Sequence, residues 1–228
     1  LFYVGYWGVG IEAAGLFFHV TAWGGAFTAL LAATQGMVAL ELKKILAYST
    51  VSQIGYMMLA LGAAGLAPNL LLEGYTSGIF HLLSHALFKA CLFLCAGTVI
   101  HAAHSIYIQD MGALRTFLKL TWLFALIASL SLMGVPPLPG FWSKDAVLLV
   151  VFNTNVALFG LALVTVALTA FYTVRCLGMV FHGSPSESLA RIVREGTHVN
   201  DGTTSMRWAV GVLAILIVLA GIGGPIVE

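Results

Sequence analysis

The sequence contains few charged residues. Only 8% of its 228 residues are Asp, Glu, Lys or Arg, whereas soluble domains carry about 25%. Hydrophobic residues make up 60% of the chain, and its mean hydropathy is +1.00. The net charge is +1 and basic residues never occur in runs longer than two, which argues against nucleic-acid binding. This composition predicts an integral membrane protein built from several transmembrane helices.

Motifs for cofactor binding are also missing. The chain has three cysteines and no CxxC pair, so we interpret Cys91, Cys95 and Cys176 as small packing residues. The sequence has no nucleotide-binding loop, flavin or nicotinamide fingerprint, haem site or iron–sulfur motif. We therefore expect no metal and no cofactor in this chain. A redox reaction linked to it would take place on another chain.

Apolar segments long enough to cross a bilayer recur along the chain, since a helical span needs about 20 apolar residues. They lack the alternating pattern of a membrane β-barrel. We expect an all-α polytopic bundle of about six spans, at 16–40, 45–66, 76–100, 120–151, 155–181 and 208–228. Residues 1–15 would be the end of a preceding helix or an outer loop, and 182–207 a cytoplasmic loop. The chain does not begin with Met and shows no signal-peptide pattern, so we expect a fragment of a longer protein.

Basic residues alternate between the connections. The connections after the first, third and fifth spans hold seven Lys and Arg residues, and the two connections between them hold none. The seven are Lys43, Lys44, Arg115, Lys119, Arg191, Arg194 and Arg207. The positive-inside rule makes their side cytoplasmic. We therefore expect loops 41–44, 101–119 and 182–207 in the cytoplasm, with a prokaryotic cell membrane as the location.

One predicted span is too long for a plain helix. Residues 120–151 would extend ~48 Å as a continuous helix, whereas the hydrocarbon core of a bilayer is ~30 Å thick. The segment contains GVPPLPG, in which Pro136, Pro137 and Pro139 remove backbone donors and Gly140 follows. We predict two half-helices that are interrupted near 135–140. Such interruptions within the membrane form the ion sites of secondary transporters.

Lys144 follows this interruption, with Asp145 beside it. An ionisable residue inside a membrane span is by default a candidate functional residue. Burial penalises the charged ammonium form, so such a lysine can bind and release a proton near neutral pH. We therefore assign Lys144 and Asp145 to proton translocation. The alternatives are that Lys144 pairs with Asp145, or that its side chain extends to the membrane interface.

Three ionisable residues repeat every fourth position in HLLSHALFKACLFLCAG: His81, His85 and Lys89. This spacing places them on one face of a helix. Histidine both donates and accepts protons near neutral pH, so the face is a candidate for proton transfer. A zinc-binding HxxxH pair and two core histidines bonded to neighbouring helices are the alternatives. We expect this face to point into the bundle, and the opposite face to meet lipid or apolar neighbours (Leu83, Leu87 and Leu94).

The preceding span carries polar residues of two kinds. Lys43 and Lys44 stand at its start, where one would orient the helix and the other would begin a cytoplasmic proton path. Ser49, Thr50, Ser52 and Gln53 follow within the span. Such residues commonly hydrogen-bond helices together in membranes, and we interpret this group as helix-packing residues.

Five motifs, in this order and at these spacings, resemble the antiporter-like subunits of respiratory complex I. The resemblance covers about residues 20–182 and is closest to subunit L, called subunit 5 in mitochondria. The motifs are ELKKILAYSTVSQIGYMMLALG, HLLSHALFKACLFLCAGTVIHA, DMGALR, GVPPLPGFWSKDAVL and TAFYTVRCLGMVFHG. The resemblance implies a bundle of two inverted five-helix repeats, each with one broken helix. This chain would hold the second repeat and one further span.

The resemblance also implies roles for individual residues. Lys144 corresponds to the broken-helix lysine in the outer, proton-exit half, and Lys89 to the central lysine of the family. His81 and His85 correspond to the histidines that link such lysines. Lys43 corresponds to the lysine of a family entrance motif. We call these five residues the polar row.

The leading hypothesis is therefore a proton-translocating subunit of a complex I-type NADH or F420H2–quinone oxidoreductase. Flavin, iron–sulfur clusters and quinone are expected on partner subunits, both membrane and peripheral. A second hypothesis is the large subunit of a multi-subunit sodium–proton antiporter, or of a membrane-bound hydrogenase, since these share the motifs. A third is a structural membrane scaffold without transport activity.

Overall fold

The computed structural model describes residues 11–194 and 201–224, and these form a bundle of α-helices. Helices follow one another along the chain, as the apolar composition requires. The helices are α1 (Ile11–Val38), α2 (Leu42–Leu66), α3 (Leu71–Ala103), α4 (Lys119–Met133), α5 (Pro139–Thr154), α6 (Val156–Phe181), α7 (Glu187–Arg194) and α8 (Thr204–Ile222). Short 3₁₀ turns at Pro68–Leu70, Ile108–Asp110 and Leu114–Thr116 lie in the connections.

Within residues 11–194 and 201–224, five helices are long and apolar enough to cross a membrane: α1, α2, α3, α6 and α8. Helices α4 and α5 have 15 and 16 residues, so each is only ~22–24 Å long and neither crosses alone. They are consecutive and occupy the segment predicted as one interrupted span. The protein is therefore an integral membrane protein, and its described part contains a discontinuous helix formed by α4 and α5.

Helix boundaries differ from the hydropathy-based expectations. Helix α3 begins at Leu71 and ends at Ala103, because helical hydrogen bonding continues beyond both ends of the expected apolar span 76–100. Helix α7 forms within the expected loop and buries Leu189. Most of the expected outer segment 1–15 lies outside the described residues. So do 195–200 of the expected loop and 225–228 of the last span.

Helices α1 and α2 make the most extensive contact in the bundle. Two glycines bring their backbones together. A Cβ added to Gly25 would lie 2.6 Å from the Leu59 nitrogen, and one added to Gly55 would lie 2.6 Å from the Ala29 nitrogen. Ser52 donates a hydrogen bond across this contact to the Ala29 carbonyl at 2.9 Å. Small residues permit such close helix packing in membranes.

Arg175 on α6 secures the end of α1. Its guanidinium donates to the carbonyls of Met37 at 2.8 Å and Ala39 at 3.1 Å. The last carbonyls of a helix have no partner within it, so a cation at this position both satisfies them and complements the helix dipole. Sequence reasoning assigned no role to Arg175.

The discontinuous helix packs into the interior. Helix α5 contacts α3 and α2, while α4 contacts α3 and α8. This arrangement places the interruption between α4 and α5 beside the face of α3 that carries His81, His85 and Lys89.

Candidate functional site

The interruption between α4 and α5 is built by glycine and proline. Gly134 ends α4 with a φ of +85°, a conformation that favours glycine, and its N–H donates to the carbonyls of Leu130 and Ser131 at 3.1 Å each. Pro139 is the first residue of α5, where the missing N–H is not needed. The Gly140 N–H donates to the Ser131 hydroxyl at 3.2 Å. A Cβ on Gly140 would overlap the Ser131 carbonyl oxygen, so only glycine fits there.

Lys144 lies in the second turn of α5, next to this interruption. Its side chain is 3% exposed. Its side chain passes back over Gly134, and its ammonium donates to the carbonyl of Leu132. Leu132 lies in the last turn of α4, where carbonyls have no partner within the helix. The helix end therefore supplies a neutral oxygen with a partial negative charge for the lysine.

His81 connects three helices. Its Nδ1 lies 2.9 Å from the Ser143 hydroxyl on α5, and its Nε2 lies 3.0 Å from the Gln53 amide oxygen on α2. The ring is completely buried. Both ring nitrogens are thus engaged by neutral partners, which leaves neither directed at a metal in this arrangement.

His85 lies one turn further along α3. Its ring centre is 6.5 Å from that of His81, and its ring packs edge-on against Phe88 at 5.4 Å. Its Nε2 is buried and makes no hydrogen bond within the described part of the chain. His85 therefore differs from His81, whose two nitrogens are both bound.

Lys89 is 5% exposed and bonds to α2. Its ammonium donates to the Ser49 hydroxyl at 2.7 Å and to the Leu46 carbonyl at 2.9 Å. The ammonium also lies 5.9 Å from the Phe93 ring centre, within range of a weak cation–π contact. As at Lys144, the bonded oxygens are neutral.

The predicted orientation of α3 is confirmed by burial. His81, His85 and Lys89 are buried, whereas Leu83 is 62% exposed and Leu94 is 40% exposed. Leu87 is partly buried. Four of the five residues of the polar row thus lie together inside the bundle.

The structure does not bring Lys43 and Asp145 into this group. Lys43 is exposed at the start of α2, where its neighbour Lys44 forms an ion pair with Glu41. Asp145 is exposed on α5, where it lines a cavity of about 380 Å³ together with Glu73 of α3. The alternative in which Lys144 pairs with Asp145 is therefore wrong, because Lys144 bonds to Leu132 and successive helical residues point ~100° apart.

Sequence reasoning missed several partners of the row. Gln53 and Ser49 hydrogen-bond α2 to α3, as their helix-packing interpretation expects, but their partners His81 and Lys89 are not predicted by it. Ser143 was not considered. The signal for the first two was their spacing, because residues four apart share one helical face. Ser143 directly precedes the buried lysine, which places it near the same site.

A family model described as NADH:quinone oxidoreductase/Mrp antiporter, transmembrane, matches residues 11–169. NAD(P)H-quinone oxidoreductase chain 5 of Picosynechococcus sp. is 42% identical over 174 residues, which is 72% of this chain and 25% of that protein. NADH-quinone oxidoreductase subunit L of Rickettsia bellii is 44% identical over 159 residues, which is 70% of this chain and 23% of that protein.

A solved structure shares this fold. The membrane-bound sulfane sulfur reductase, an archaeal respiratory membrane complex, contains a chain with a TM-score of 0.81 and 30% identity, covering 91% of this chain and 32% of that one. This chain spans about a quarter of the length of the two curated relatives above. Together with the buried residues and the discontinuous helix, the family match places the chain in the NADH:quinone oxidoreductase/Mrp antiporter transmembrane family.

Proposed function

We propose that this chain is part of a proton-translocating membrane subunit of a complex I-type NADH or F420H2–quinone oxidoreductase. One observation carries the proposal: two lysines are at most 5% exposed and bond to neutral oxygens. A buried ammonium that is paired with a carboxylate is held in its charged form. Lys89 and Lys144 bond to carbonyls and a hydroxyl instead, so each can lose its proton when a neighbouring charge changes.

In the proposed mechanism, a charge arriving near one lysine displaces the proton of the next. Lys144, at the interruption, passes its proton towards the outer side, where Asp145 and Glu73 line an open cavity. Lys89 is reloaded from the cytoplasmic side, where Lys43 marks the start of α2. The chain contributes no redox step to this cycle; flavin, iron–sulfur clusters and quinone belong to membrane and peripheral partner subunits.

We infer the location from the same features. The loops that carry the seven basic residues face the cytoplasm of a prokaryotic cell. The exposed apolar side chains of the bundle contact lipid or further helices of the complete subunit.

The family description also includes Mrp antiporters, so a sodium–proton antiporter subunit is the second candidate function. The two are distinguished by the transported ion and its driving reaction. Proton uptake driven by electron transfer, without sodium, supports the oxidoreductase. Sodium movement without electron transfer supports the antiporter.

Replacing Lys144 with Ala in the full-length subunit, assembled in its complex and reconstituted in liposomes, tests the proposal. We expect at least a several-fold decrease in protons moved per electron transferred, because the exit lysine is lost. Lys119→Ala is the matched control, because Lys119 is an exposed lysine at the start of α4. Unchanged proton movement in Lys144→Ala would overturn the proposed role.

A further inference from the structure

We propose that Gln53 is a positioning residue that fixes His81 in its Nε2–H tautomer, so that His81 exchanges its proton only through Nδ1, on the side of Ser143 and α5. The inference deepens the proposed function and rests on it for the role of His81 in proton transfer. The tautomer itself follows from hydrogen-bond geometry.

The amide oxygen of Gln53 lies 3.0 Å from His81 Nε2. An amide oxygen only accepts hydrogen bonds, so with the Gln53 amide oriented this way Nε2 carries the hydrogen. In a neutral imidazole one nitrogen donates and the other accepts. Nδ1 therefore accepts from the Ser143 hydroxyl, which lies 2.9 Å away and is able to donate. The two contacts are consistent with a single tautomer.

This tautomer makes the two sides of the His81 ring unequal. A proton that arrives at Nδ1 produces an imidazolium, and Ser143 then turns its hydroxyl to accept from Nδ1–H. The hydrogen on Nε2 points at an amide oxygen, which is a very weak base and does not take the proton onward. The proton gained at Nδ1 consequently leaves again through Nδ1.

Ser143 precedes Lys144 on α5, so the exchanging nitrogen of His81 faces the half-helix that bears the exit lysine. The centres of the His81 and His85 rings are 6.5 Å apart, and both nitrogens of His81 are already bound to Ser143 and Gln53. Charge on His81 thus acts on His85 through the electric field and not through a shared hydrogen bond. Proton exchange on the Lys144 side and on the Lys89 side becomes two separate events that are coupled electrostatically.

The tautomer is read directly by ¹⁵N solid-state NMR, because protonated and unprotonated ring nitrogens have widely separated shifts. The sample is the full-length subunit in its assembled complex, labelled with ¹⁵N-histidine. The His81 signals are identified by subtracting the spectrum of His81→Asn. We expect a neutral His81 with hydrogen on Nε2 in the unmodified protein.

Three variants distinguish a role of Gln53 in setting the His81 tautomer from a purely structural role. Gln53→Leu removes the acceptor, and we expect the Nδ1–H form, donating to Ser143, to become populated. Gln53→Glu restores an acceptor of the same shape and should restore hydrogen on Nε2. Ser143→Ala should leave the tautomer unchanged. Gln35→Leu, at an exposed position of α1, is the control for the same chemical change.

A wild-type spectrum with hydrogen on Nδ1 would overturn the inference, since the amide would then be donating to the ring. An unchanged tautomer in Gln53→Leu, or a changed one in Ser143→Ala, would also overturn it, because Gln53 would not be setting the state. These outcomes do not depend on transport. If Lys144→Ala leaves proton movement intact while the tautomer results hold, the proposed function fails and the assignment of His81 stands.

Discussion

Lys89 and Lys144 are almost equally buried, at 5% and 3% exposure, but they are held in different ways. Lys144 bonds to a carbonyl that is available because a helix ends at that point. Lys89 bonds to a continuous helix, through the Ser49 hydroxyl and the Leu46 carbonyl. The site of Lys144 is made by the path of the backbone, whereas the site of Lys89 uses a side-chain hydroxyl together with a backbone carbonyl.

This difference determines which substitutions should disturb each lysine site. The site of Lys144 depends on the residues that shape the interruption, and those residues need not touch the lysine. The site of Lys89 depends on the Ser49 hydroxyl and on the Leu46 carbonyl, which both contact the lysine directly. Substitutions at the two sites should therefore differ in size, and three of them test the comparison in decreasing order of expected effect.

Gly140→Val should have the largest effect. Its Cβ would overlap the backbone oxygen of Ser131, and backbone atoms cannot move aside without displacing α4 from α5. We expect a loss of about 3 kcal/mol or more in the free energy of unfolding, measured by denaturant titration of the full-length protein in detergent. The control is Gly160→Val, where an added Cβ meets nothing within 4 Å. Equal stability of the two variants would contradict the tight fit at the interruption.

Ser49→Ala should have an intermediate effect. It removes one of the two oxygens that accept from the Lys89 ammonium, and we expect a loss of about 1–2 kcal/mol in the free energy of unfolding. The matched control is Ser77→Ala, because Ser77 is also buried on a helix but donates only to its own helix, at the Gly74 carbonyl. If Ser77→Ala lowers the free energy of unfolding by the same amount, the hydrogen bond between Ser49 and Lys89 stabilises the protein no more than a bond within one helix does.

Thr50→Val should have the smallest effect. The Thr50 hydroxyl donates at 3.0 Å to the Leu46 carbonyl, which also accepts from Lys89. Without the Thr50 hydroxyl, the Leu46 carbonyl still accepts from Lys89 and from the helix backbone. We expect a change of no more than about 0.5 kcal/mol in the same unfolding measurement. A loss as large as that of Ser49→Ala would mean that the hydroxyl positions the carbonyl for Lys89.

The sequence was sufficient to predict the helical bundle, the interruption and the buried face of α3. Prolines and glycines mark a helix break in any sequence, and a four-residue spacing defines one helical face. The backbone acceptors of the lysines could not be predicted, because Leu46 and Leu132 accept through their carbonyl groups and their side chains carry no polar signal. The role of Gln53 depends on how α2, α3 and α5 pack, and sequence spacing within one helix does not contain that information.

The close contact of α1 and α2 has a mechanical consequence. At Gly25 and Gly55 backbone meets backbone, so neither helix can slide along the other without atomic overlap. The two helices are therefore held together as a pair. Under the proposed function, a displacement driven by a proton would occur where helices meet through side chains, as α3 and α5 do at His81 and Ser143.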